Sequence, residues 1–419
     1  MNDFEIRRLV EDEWAAVFDL AGVAFGEEYT EEDLKAFREI FPRLRVFGAF
    51  ERDRLVGSGA VIPMDLALPG RTSLPMGGLT WVGVLPTHRR RGVLRRLMRA
   101  MFADMIDHGE PLSGLGASES SIYGRFGYGP AVSSLAFNVK RPFATFLHPV
   151  DPGTSGRIIL LSAGEAAVQL PALYERLRPE QPGEVSRPEG WWKGHLADPP
   201  HDREGYTRLF HVLHESATGE PDGYVSYRLK DEWDNETAAV SVGVNELVAA
   251  DGTVYKVLWD YLLRTDLSLK IGCWRGRVDE PLRWLLADPR RFTVEVLYDS
   301  LWVRLLDVPR ALTARAYRCP GELVLEVHDR FPDPVTRLLR LRVDQADTAG
   351  AAEVKRLSNG SALPDLVLDV GTLGATYLGG VSFASLAAAG RLQEKRPGAV
   401  ELADRLFSVG RAPFCATDF

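Results

Sequence analysis

Three consecutive arginines and a glycine form the part of this sequence best suited to hold an anion. Arg89, Arg90 and Arg91 precede Gly92, and all four follow a short strand predicted over Trp81–Val84. The first N–H groups of a helix have no intrahelical partner, the helix dipole is positive there, and glycine lets the backbone approach a ligand closely. An arginine-rich turn is often only a solvated surface, but its place between a strand and a helix favours a phosphate or pyrophosphate site.

The segment after this turn predicts an amphipathic helix that begins at Val93 and stops at His108-Gly109. Arg95, Arg96 and Arg99 fall on its polar face. Its apolar side chains recur three and four residues apart: Val93, Leu94, Leu97, Met98, Met101, Phe102, Met105 and Ile106. The arginine turn therefore lies at a helix N-terminus.

The composition indicates a soluble globular protein of about two to four domains. The chain has 419 residues, of which 45% are hydrophobic and 26% charged, and its formal net charge is −8. The acidic balance argues against nucleic acid as the main partner and favours cationic small molecules or basic peptides. Three scattered cysteines, Cys273, Cys319 and Cys415, predict neither a disulfide framework nor a metal site.

The sequence also predicts a cytoplasmic protein without a membrane partner. No apolar run reaches the roughly 18–20 residues that span a bilayer. The N-terminal stretch MNDFEIRRLVEDEW is charged and lacks the apolar centre of a signal peptide.

Alternating strand and helix patterns divide the chain into three parts, residues 1–140, 141–292 and 293–419. The first part is mixed α/β, with the phosphate turn after a central strand. The second part repeats the alternation more weakly and lacks an arginine-rich glycine turn, so it is predicted to hold no second cofactor. The third part opens with two antiparallel strands.

Each part has its own predicted elements. The first predicts strands at Phe4–Arg7, Leu44–Glu51, Leu55–Met64 and Leu79–Leu85, and helices at Glu11–Phe25 and Thr30–Phe41. The second predicts strands at Gly223–Lys230 and Ala238–Val248 and a helix at Thr253–Leu267. The third predicts strands at Gly321–Asp329 and Arg337–Asp344, and helices at Val370–Tyr377 and Ser382–Gly390.

Two segments resemble a known family of acetyltransferases. Arg89 and Gly92 fit the acetyl-CoA loop of the GCN5-related N-acetyltransferases (GNAT), written (Gln/Arg)-x-x-Gly-x-(Gly/Ala), whereas Leu94 departs from its final small residue. The segment Ala117–Gly129 closely resembles the corresponding segment of one branch, the Eis (enhanced intracellular survival) family of aminoglycoside acetyltransferases. The chain length and the last residue, Phe419, also agree with that family.

The resemblance implies an α/β (α+β) fold of tandem GNAT acetyltransferase-like domains followed by a sterol carrier protein-like domain. It implies a catalytic domain at 1–140, a second domain without cofactor at 141–292, and a third domain at 293–419 that ends in the catalytic C-terminus. Acetyl-CoA is the expected co-substrate, with no metal, and a homo-hexamer is the expected assembly. The residues expected to bind acetyl-CoA are Val82, Gly83, Val84, Arg89, Arg90, Arg91, Gly92, Val93, Leu94, Arg95, Ser118 and Glu119.

The backbone of the strand before the turn suits the pantetheine arm of that cofactor. The arm carries amides at peptide-like spacing, so Val82, Gly83 and Val84 are positioned to pair with it like an added strand. Their N–H groups would also polarise the acetyl carbonyl, as an oxyanion hole does. Ordinary sheet pairing of all three residues is the alternative interpretation.

Tyr123 is the predicted general acid. A phenol has a pKa of about 10, so it is protonated at neutral pH and donates readily to a departing thiolate. Small neighbours such as Ser120 and Gly124 leave room for a ligand, and the family resemblance assigns the role to Tyr123. Tyr128 is the alternative donor, although its sequence context is more typical of packing.

The predicted general base is the carboxylate of the last residue, Phe419. The segment Ala412–Phe419 is apolar apart from Thr417 and Asp418, whereas most C-termini are polar and frayed. Docking of this tail would bury a carboxylate and raise its pKa toward that of a useful base. A tail that only covers core is the alternative, and the resemblance favours the catalytic role.

Acidic residues are predicted to attract a cationic substrate. Asp418 adds a charge beside Phe419, and Glu27 and Glu28 open an acidic run that continues to Asp33. Such a patch attracts polycations through a long-range field that salt weakens. A solvated helix start is an equal alternative for this run.

The sequence therefore predicts an acetyl-CoA-dependent N-acetyltransferase that modifies amines of aminoglycosides or similar cationic polyamines. Two alternatives stay open. The acceptor is a protein lysine or N-terminus, or the chain is a lipid-binding or scaffold protein whose acetyltransferase domain is vestigial.

Overall fold

The computed structural model describes residues 4–26, 28–30, 35, 38–39, 43–151, 156–234, 237–358 and 360–419. The chain forms two compact units. The first contains residues 1–132, 179–186 and 299–419, and the second contains residues 133–178 and 187–298. The predicted division at 140 and 292 stays a prediction.

The strands are given in chain order. They are β1 (Glu5–Arg8), β2 (Arg45–Glu51), β3 (Arg54–Leu68), β4 (Thr72–Val84), β5 (Leu112–Leu115), β6 (Gly129–Lys140), β7 (Arg157–Leu161), β8 (Phe210–Glu215), β9 (Pro221–Lys230), β10 (Trp233–Asp234), β11 (Thr237–Ala238), β12 (Val240–Ala249), β13 (Ser268–Arg277), β14 (Phe292–Leu305), β15 (Gly321–Asp329), β16 (Val335–Val343), β17 (Ala352–Leu357), β18 (Leu366–Asp369) and β19 (Leu392–Glu394).

The helices are numbered in the same way. They are α1 (Trp14–Phe25), α2 (Val93–Asp107), α3 (Ser120–Tyr123), α4 (Ala163–Leu177), α5 (Glu189–Ala197), α6 (Gly252–Leu263), α7 (Leu282–Leu285), α8 (Val308–Ala314), α9 (Val370–Thr376), α10 (Phe383–Ala388) and α11 (Ala399–Phe407).

The first unit contains a sheet in the order β1-β2-β3-β4-β5-β14, in which β14 contributes Trp302–Leu305. Neighbouring strands are antiparallel except β4 and β5, which run parallel. The helix α2 forms the crossover between these two parallel strands, as a parallel connection requires. The turn at the start of α2 therefore follows the carboxyl end of a central strand.

Helices α1 and α2 cover opposite faces of this sheet. Leu20 and Ala24 of α1 lie against Gly83, whereas Val93 and Leu97 of α2 lie against Gly57. Gly83 is paired with Ser58, which neighbours Gly57, and successive residues of a strand point to opposite faces. The prediction that α2 begins at Val93 and ends before His108 is confirmed.

The third part of the chain also lies in the first unit and forms a sheet in the order β17-β16-β15-β18-β19. The predicted antiparallel pair is confirmed, with a register from Gly321↔Val343 to Asp329↔Val335. Below it, Arg315 is fully buried and donates to the carbonyl oxygens of Tyr377 and Phe407. These carbonyls end α9 and α11, so the cation faces the negative ends of two helix dipoles.

The second unit repeats the strand pattern of the first. Its sheet has the order β7-β8-β9-β12-β13-β6, and only β12 and β13 run parallel. Helix α6 connects these parallel strands, as α2 does in the first unit. The sheet of the second unit ends with β6, which comes before its other strands in the chain. The sheet of the first unit ends with β14, which comes after all the strands of the second unit.

Some predicted boundaries differ from the structure. Strand β4 begins at Thr72 rather than Leu79, because Gly77 and Gly78 continue the ladder instead of breaking it. Helix α6 ends at Leu263 rather than Leu267, which has a left-handed φ of 61°. The predicted helix at 30–41 lies mostly outside the described residues. None of the helices in the described part of the chain is both long and apolar enough to cross a membrane.

Glu280 is a buried carboxyl in the second unit. Burial raises its pKa to about 8, although the N–H groups of Leu282 and Arg277 act in the opposite direction. In the unfolded chain the same group titrates near 4.5. Between these values the folded protein binds a proton that the unfolded chain has lost, so stability falls as pH rises.

Replacing Glu280 by Gln should remove this pH dependence, because the amide stays neutral. We expect the free energy of unfolding of the wild type to fall, relative to Glu280→Gln, by up to roughly 4 kcal/mol between pH 4.5 and pH 8. Urea unfolding followed by tryptophan fluorescence measures this, with the exposed Glu220→Gln as control. Parallel pH profiles of wild type and Glu280→Gln would contradict the assignment.

Candidate active site

The arginine turn has the backbone geometry of an anion-binding helix start. A 3₁₀ turn at Pro86–His88 follows β4, and Arg90 and Gly92 then adopt left-handed φ values of 62° and 86°. Gly92 is the N-cap of α2, and a Cβ there would meet nothing within 4 Å. Glycine is therefore favoured at this position by its φ rather than by crowding. The N–H groups of the first turn of α2 point out of the helix start.

The carboxylate of Glu51 connects this turn to β2. Glu51 accepts hydrogen bonds from His88 at 3.0 Å and from Arg91, and these bonds lower its pKa. Arg91 also lies over the ring of Phe4, 5.1 Å from its centroid. Arg91 therefore fixes the loop to β2, and Arg89 donates to the carbonyl of Ala24. Arg95 lies 5.4 Å over the ring of Phe331.

Strands β4 and β5 stop pairing at Gly78, before β4 reaches the turn. Their ladder comprises Met76, Gly77 and Gly78, while β4 continues to Val84. On its other edge β4 stays paired with β3. Gly83 pairs with Ser58 and Val84 with Gly57, whereas Val82 lies at the register shift between Thr80 and Gly83. Trp81 lies at this shift with a φ of 53°. A bulge of this kind turns the end of a strand away from its neighbour.

Tyr123 is buried in the hydrophobic core of the first unit. Its side chain is 6% exposed, and burial raises the pKa of the phenol. Its ring packs edge-on against Tyr128, with centroids 6.0 Å apart. The Tyr128 hydroxyl is 2.6 Å from Ser113 Oγ, which donates to the carbonyl of Gly77. The Tyr128 hydroxyl is thus hydrogen-bonded to β5 and, through Ser113, linked to β4.

Ser118 and Glu119 lie on the connection between β5 and α3, and both are exposed. Glu119 is the N-cap residue of α3 and accepts a hydrogen bond from Ser121 Oγ at 2.9 Å. This connection begins where β5 leaves β4. Of the predicted acidic residues, Glu28 and Asp418 are exposed and Glu27 lies outside the described residues.

The last residue of the chain reaches the same strands. A Cβ added at Gly78 would lie 2.9 Å from Cδ2 and from Cε2 of the Phe419 ring. Phe419 is half-buried, and Cys415 and Thr417 before it are buried. The ring therefore rests on the backbone at the residue where the β4–β5 ladder ends. Docking of the tail into protein was predicted from its apolar composition, and this part of the prediction is confirmed.

Arg304 holds the segment that carries Tyr123. Its guanidinium is buried and donates to the carbonyl oxygens of Phe126 and Phe331, each at 2.6 Å, and to Asp329 at 3.0 Å. Gly127 has a left-handed φ of 81°, and a Cβ there would lie 1.7 Å from the guanidinium. Sequence reasoning missed Arg304; the available signal was a single charge within the apolar run Leu301–Leu306.

An aromatic cluster borders the bulge of β4. Trp81 packs edge-on against Phe18 at 5.0 Å and Trp14 at 6.2 Å, and Tyr29 packs against Phe18 at 5.1 Å. The indole Nε1 of Trp14 is buried and has no hydrogen-bond partner among the residues that the structure describes. Aromatic faces attract cations. Sequence reasoning missed this cluster because its members are spread over 68 positions along the chain.

The helix start in the second unit is already occupied by the chain itself. Asp251, the N-cap of α6, accepts hydrogen bonds from the N–H groups of Thr253 at 2.7 Å and Val254 at 2.9 Å. These are the groups that a phosphate would use at an equivalent site. In the portion of the chain that the structure describes, no group of three or more His, Cys, Asp or Glu is arranged to hold a metal ion.

Comparisons with known proteins agree with this architecture. The acetyltransferase (GNAT) domain matches the chain twice, at residues 5–131 and 183–305, and a sterol carrier protein domain matches residues 308–416. The predicted fold class is confirmed: two GNAT domains precede a sterol carrier protein-like domain.

The similar proteins are N-acetyltransferases. One from Streptomyces avermitilis is 36% identical over 100% of this chain and 99% of its own length. N-acetyltransferase Eis of Mycobacterium bovis is 36% identical over 92% of each chain. The crystal structure of Eis1 from Mycobacterium abscessus superimposes with a TM-score of 0.85 at 34% identity, covering 99% of this chain and 100% of that one. The fold and site thus define a GNAT N-acetyltransferase. Within that class, the chain belongs to the Eis family.

Removing the guanidinium of Arg304 should loosen the Tyr123 segment. In Arg304→Met, Asp329 and two buried carbonyls lose a donor, which we expect to cost about 3–5 kcal/mol of stability. Amide hydrogen exchange of Gly127 and Tyr128 should accelerate more than that of β2. The exposed Arg54→Met is the control. Unchanged exchange at 123–128 in Arg304→Met would show that the segment holds its position without this residue.

Proposed function

We propose that this protein transfers the acetyl group of acetyl-CoA to amines of aminoglycosides or similar cationic polyamines. The observation that carries the proposal is the contact of the Phe419 ring with Gly78, at the end of the β4–β5 ladder. This contact brings the chain terminus to the strands that adjoin the phosphate turn. Tyr123 is tied to the same strands through Tyr128 and Ser113.

Acetyl-CoA would bind along the end of β4 and the start of α2. Its pyrophosphate would take the N–H groups at Gly92–Arg95 together with Arg89 and Arg90, and its pantetheine arm would pair with Val82–Val84. Glu51 and Arg91 would hold the turn in place, and Ser118 and Glu119 would border the thioester side. The second GNAT domain would bind no cofactor, because Asp251 occupies its helix start.

The transfer requires two proton movements. The amine nitrogen attacks the carbonyl carbon, a C–N bond forms and the C–S bond breaks. The Phe419 carboxylate takes the proton from the amine, and Tyr123 gives its phenolic proton to the departing thiolate. A raised pKa keeps Tyr123 protonated across the physiological range.

The substrate class follows from charge and aromatic faces. The chain carries a net charge of −8, with Glu28 and Asp418 exposed. The aromatic cluster of Trp14, Phe18, Tyr29 and Trp81 offers ring faces to an ammonium group or a sugar ring. Both features suit a small polycation better than nucleic acid.

A homo-hexamer in the cytoplasm, where acetyl-CoA is available, completes the proposal. In the second unit, Val296, Leu297, Trp274 and Trp284 are 50–73% exposed. We take these exposed large apolar side chains as part of the surface that the assembly buries. Light scattering measures the assembly size.

An acceptor screen tests the reaction and separates it from the alternatives. We expect kcat/KM on aminoglycosides and polyamines to exceed that on lysine peptides by at least tenfold, with released CoA thiol as the readout. Preference for peptides would identify a protein acetyltransferase. Failure of the chain to bind acetyl-CoA in calorimetry would indicate a lipid-binding or scaffold role and overturn the proposal.

Two variants test the proton transfers. Tyr123→Phe should lower kcat roughly 10²–10⁴-fold with little change in acetyl-CoA affinity. One residue added after Phe419 should abolish turnover, because it moves the terminal carboxylate, whereas Phe419→Leu should keep measurable activity because the carboxylate stays. Tyr206→Phe is the matched phenol control. Full activity of the extended chain would rule out the terminal base.

A further inference from the structure

A short segment of the chain connects β3 to the C-terminal tail. We call residues 181–186 the strap. They lie within residues 179–186, a stretch that belongs to the first unit although the chain before and after it belongs to the second. The strap pairs with the part of β3 beyond its ladder with β2: Gly183 N–H donates to Ala67 O at 2.9 Å, and Ala67 N–H donates to Glu184 O at 2.8 Å.

The other side of the strap holds the tail by three hydrogen bonds. Gln181 Nε2 donates to the carbonyl of Ala412 at 2.8 Å, and Phe414 N–H donates to the carbonyl of Pro182 at 2.8 Å. The carboxylate of Glu184 accepts the N–H of Ala416 with both oxygens, each at 3.2 Å. The tail is therefore fixed by its main chain.

Gly183 brings the strap close enough for these bonds. Its φ is 99°, and a Cβ there would lie 2.8 Å from the carbonyl oxygen of Phe414 and 3.0 Å from its nitrogen. Both the backbone conformation and the space require glycine. A side chain at this position would push the tail away from the strap.

Glu184 contacts the tail three residues before Phe419. Its carboxylate is 5% exposed, which is costly for a charge unless it is hydrogen-bonded. Phe419 lies three residues beyond Ala416, so an extended segment between them spans about 10 Å. The Phe419 ring is fixed at Gly78, and the tail between these two points has little freedom.

We propose that Glu184 is a positioning residue for acetyl transfer. It sets the place of the Phe419 carboxylate by holding the N–H of Ala416. This inference rests on the proposed function, in which that carboxylate is the base. Glu184 acts through the tail and does not touch the reacting atoms.

Three variants test the inference. Glu184→Ala removes the acceptor and should lower kcat at least tenfold, with the KM for acetyl-CoA within about twofold of wild type. Glu184→Gln keeps an oxygen acceptor and should restore most of the activity. Gly183→Ala keeps Glu184 but displaces Phe414, so it should behave like Glu184→Ala. The exposed Glu401→Ala is the matched control.

A direct measurement of the tail separates positioning from general stability. Hydrogen exchange at Ala416 and release of Phe419 by carboxypeptidase should both accelerate in Glu184→Ala, while exchange in β3 stays as in wild type. The inference is overturned if Glu184→Ala turns over normally while the extended chain is inactive. If the extended chain is also fully active, the terminal base itself fails, and the two failures are thereby distinguished.

Discussion

The position of the Phe419 carboxylate depends on the contacts that hold the residues before it. The last residue of a chain is attached covalently on one side only, so its carboxylate is placed by whatever fixes the residues before it. Here the Phe419 ring rests on Gly78, and the main chain from Ala412 to Ala416 bonds to residues 181–184. These residues are in turn paired with β3. The tail, the strap and β3, which is itself paired with β4, therefore form one hydrogen-bonded arrangement.

The third domain contacts residues that position the candidate site in the first GNAT domain. Arg304 bonds to Phe126 at the end of the Tyr123 segment and to Asp329 and Phe331 of the following domain. Arg95 lies over Phe331 and Arg99 donates to Pro332. The sterol carrier protein-like domain thus supports both the Tyr123 segment and the helix that begins at the arginine turn.

The two GNAT domains use one strand pattern with different helix starts. In the first, the start of α2 is a left-handed glycine within a basic turn. In the second, the Asp251 carboxylate caps α6 and supplies the negative charge itself. A single capping side chain therefore distinguishes the helix start of α6, which is internally satisfied, from that of α2, whose N-cap residue has no side chain.

Local patterns in the sequence carried much of this information, and long-range contacts did not. Apolar periodicity placed α2 within one residue at each end, and the paired strands β15 and β16 followed from alternation. The family resemblance supplied Tyr123 and Phe419. Nothing local reveals that Arg304 bonds to Phe126, 178 residues away, or that Glu184 meets Ala416 after 232 residues. Such pairs are visible only once the topology is known.

The pairing of β5 with β14, which comes much later in the chain, has a consequence for biosynthesis. β5 is completed by Trp302–Leu305, about 190 residues later in the chain. Until a ribosome has made that stretch, β5 presents an open edge, and such edges promote aggregation. A fragment that stops near residue 140 would keep this edge permanently. Nascent chains of this protein therefore expose the edge of β5 until Trp302–Leu305 has been made.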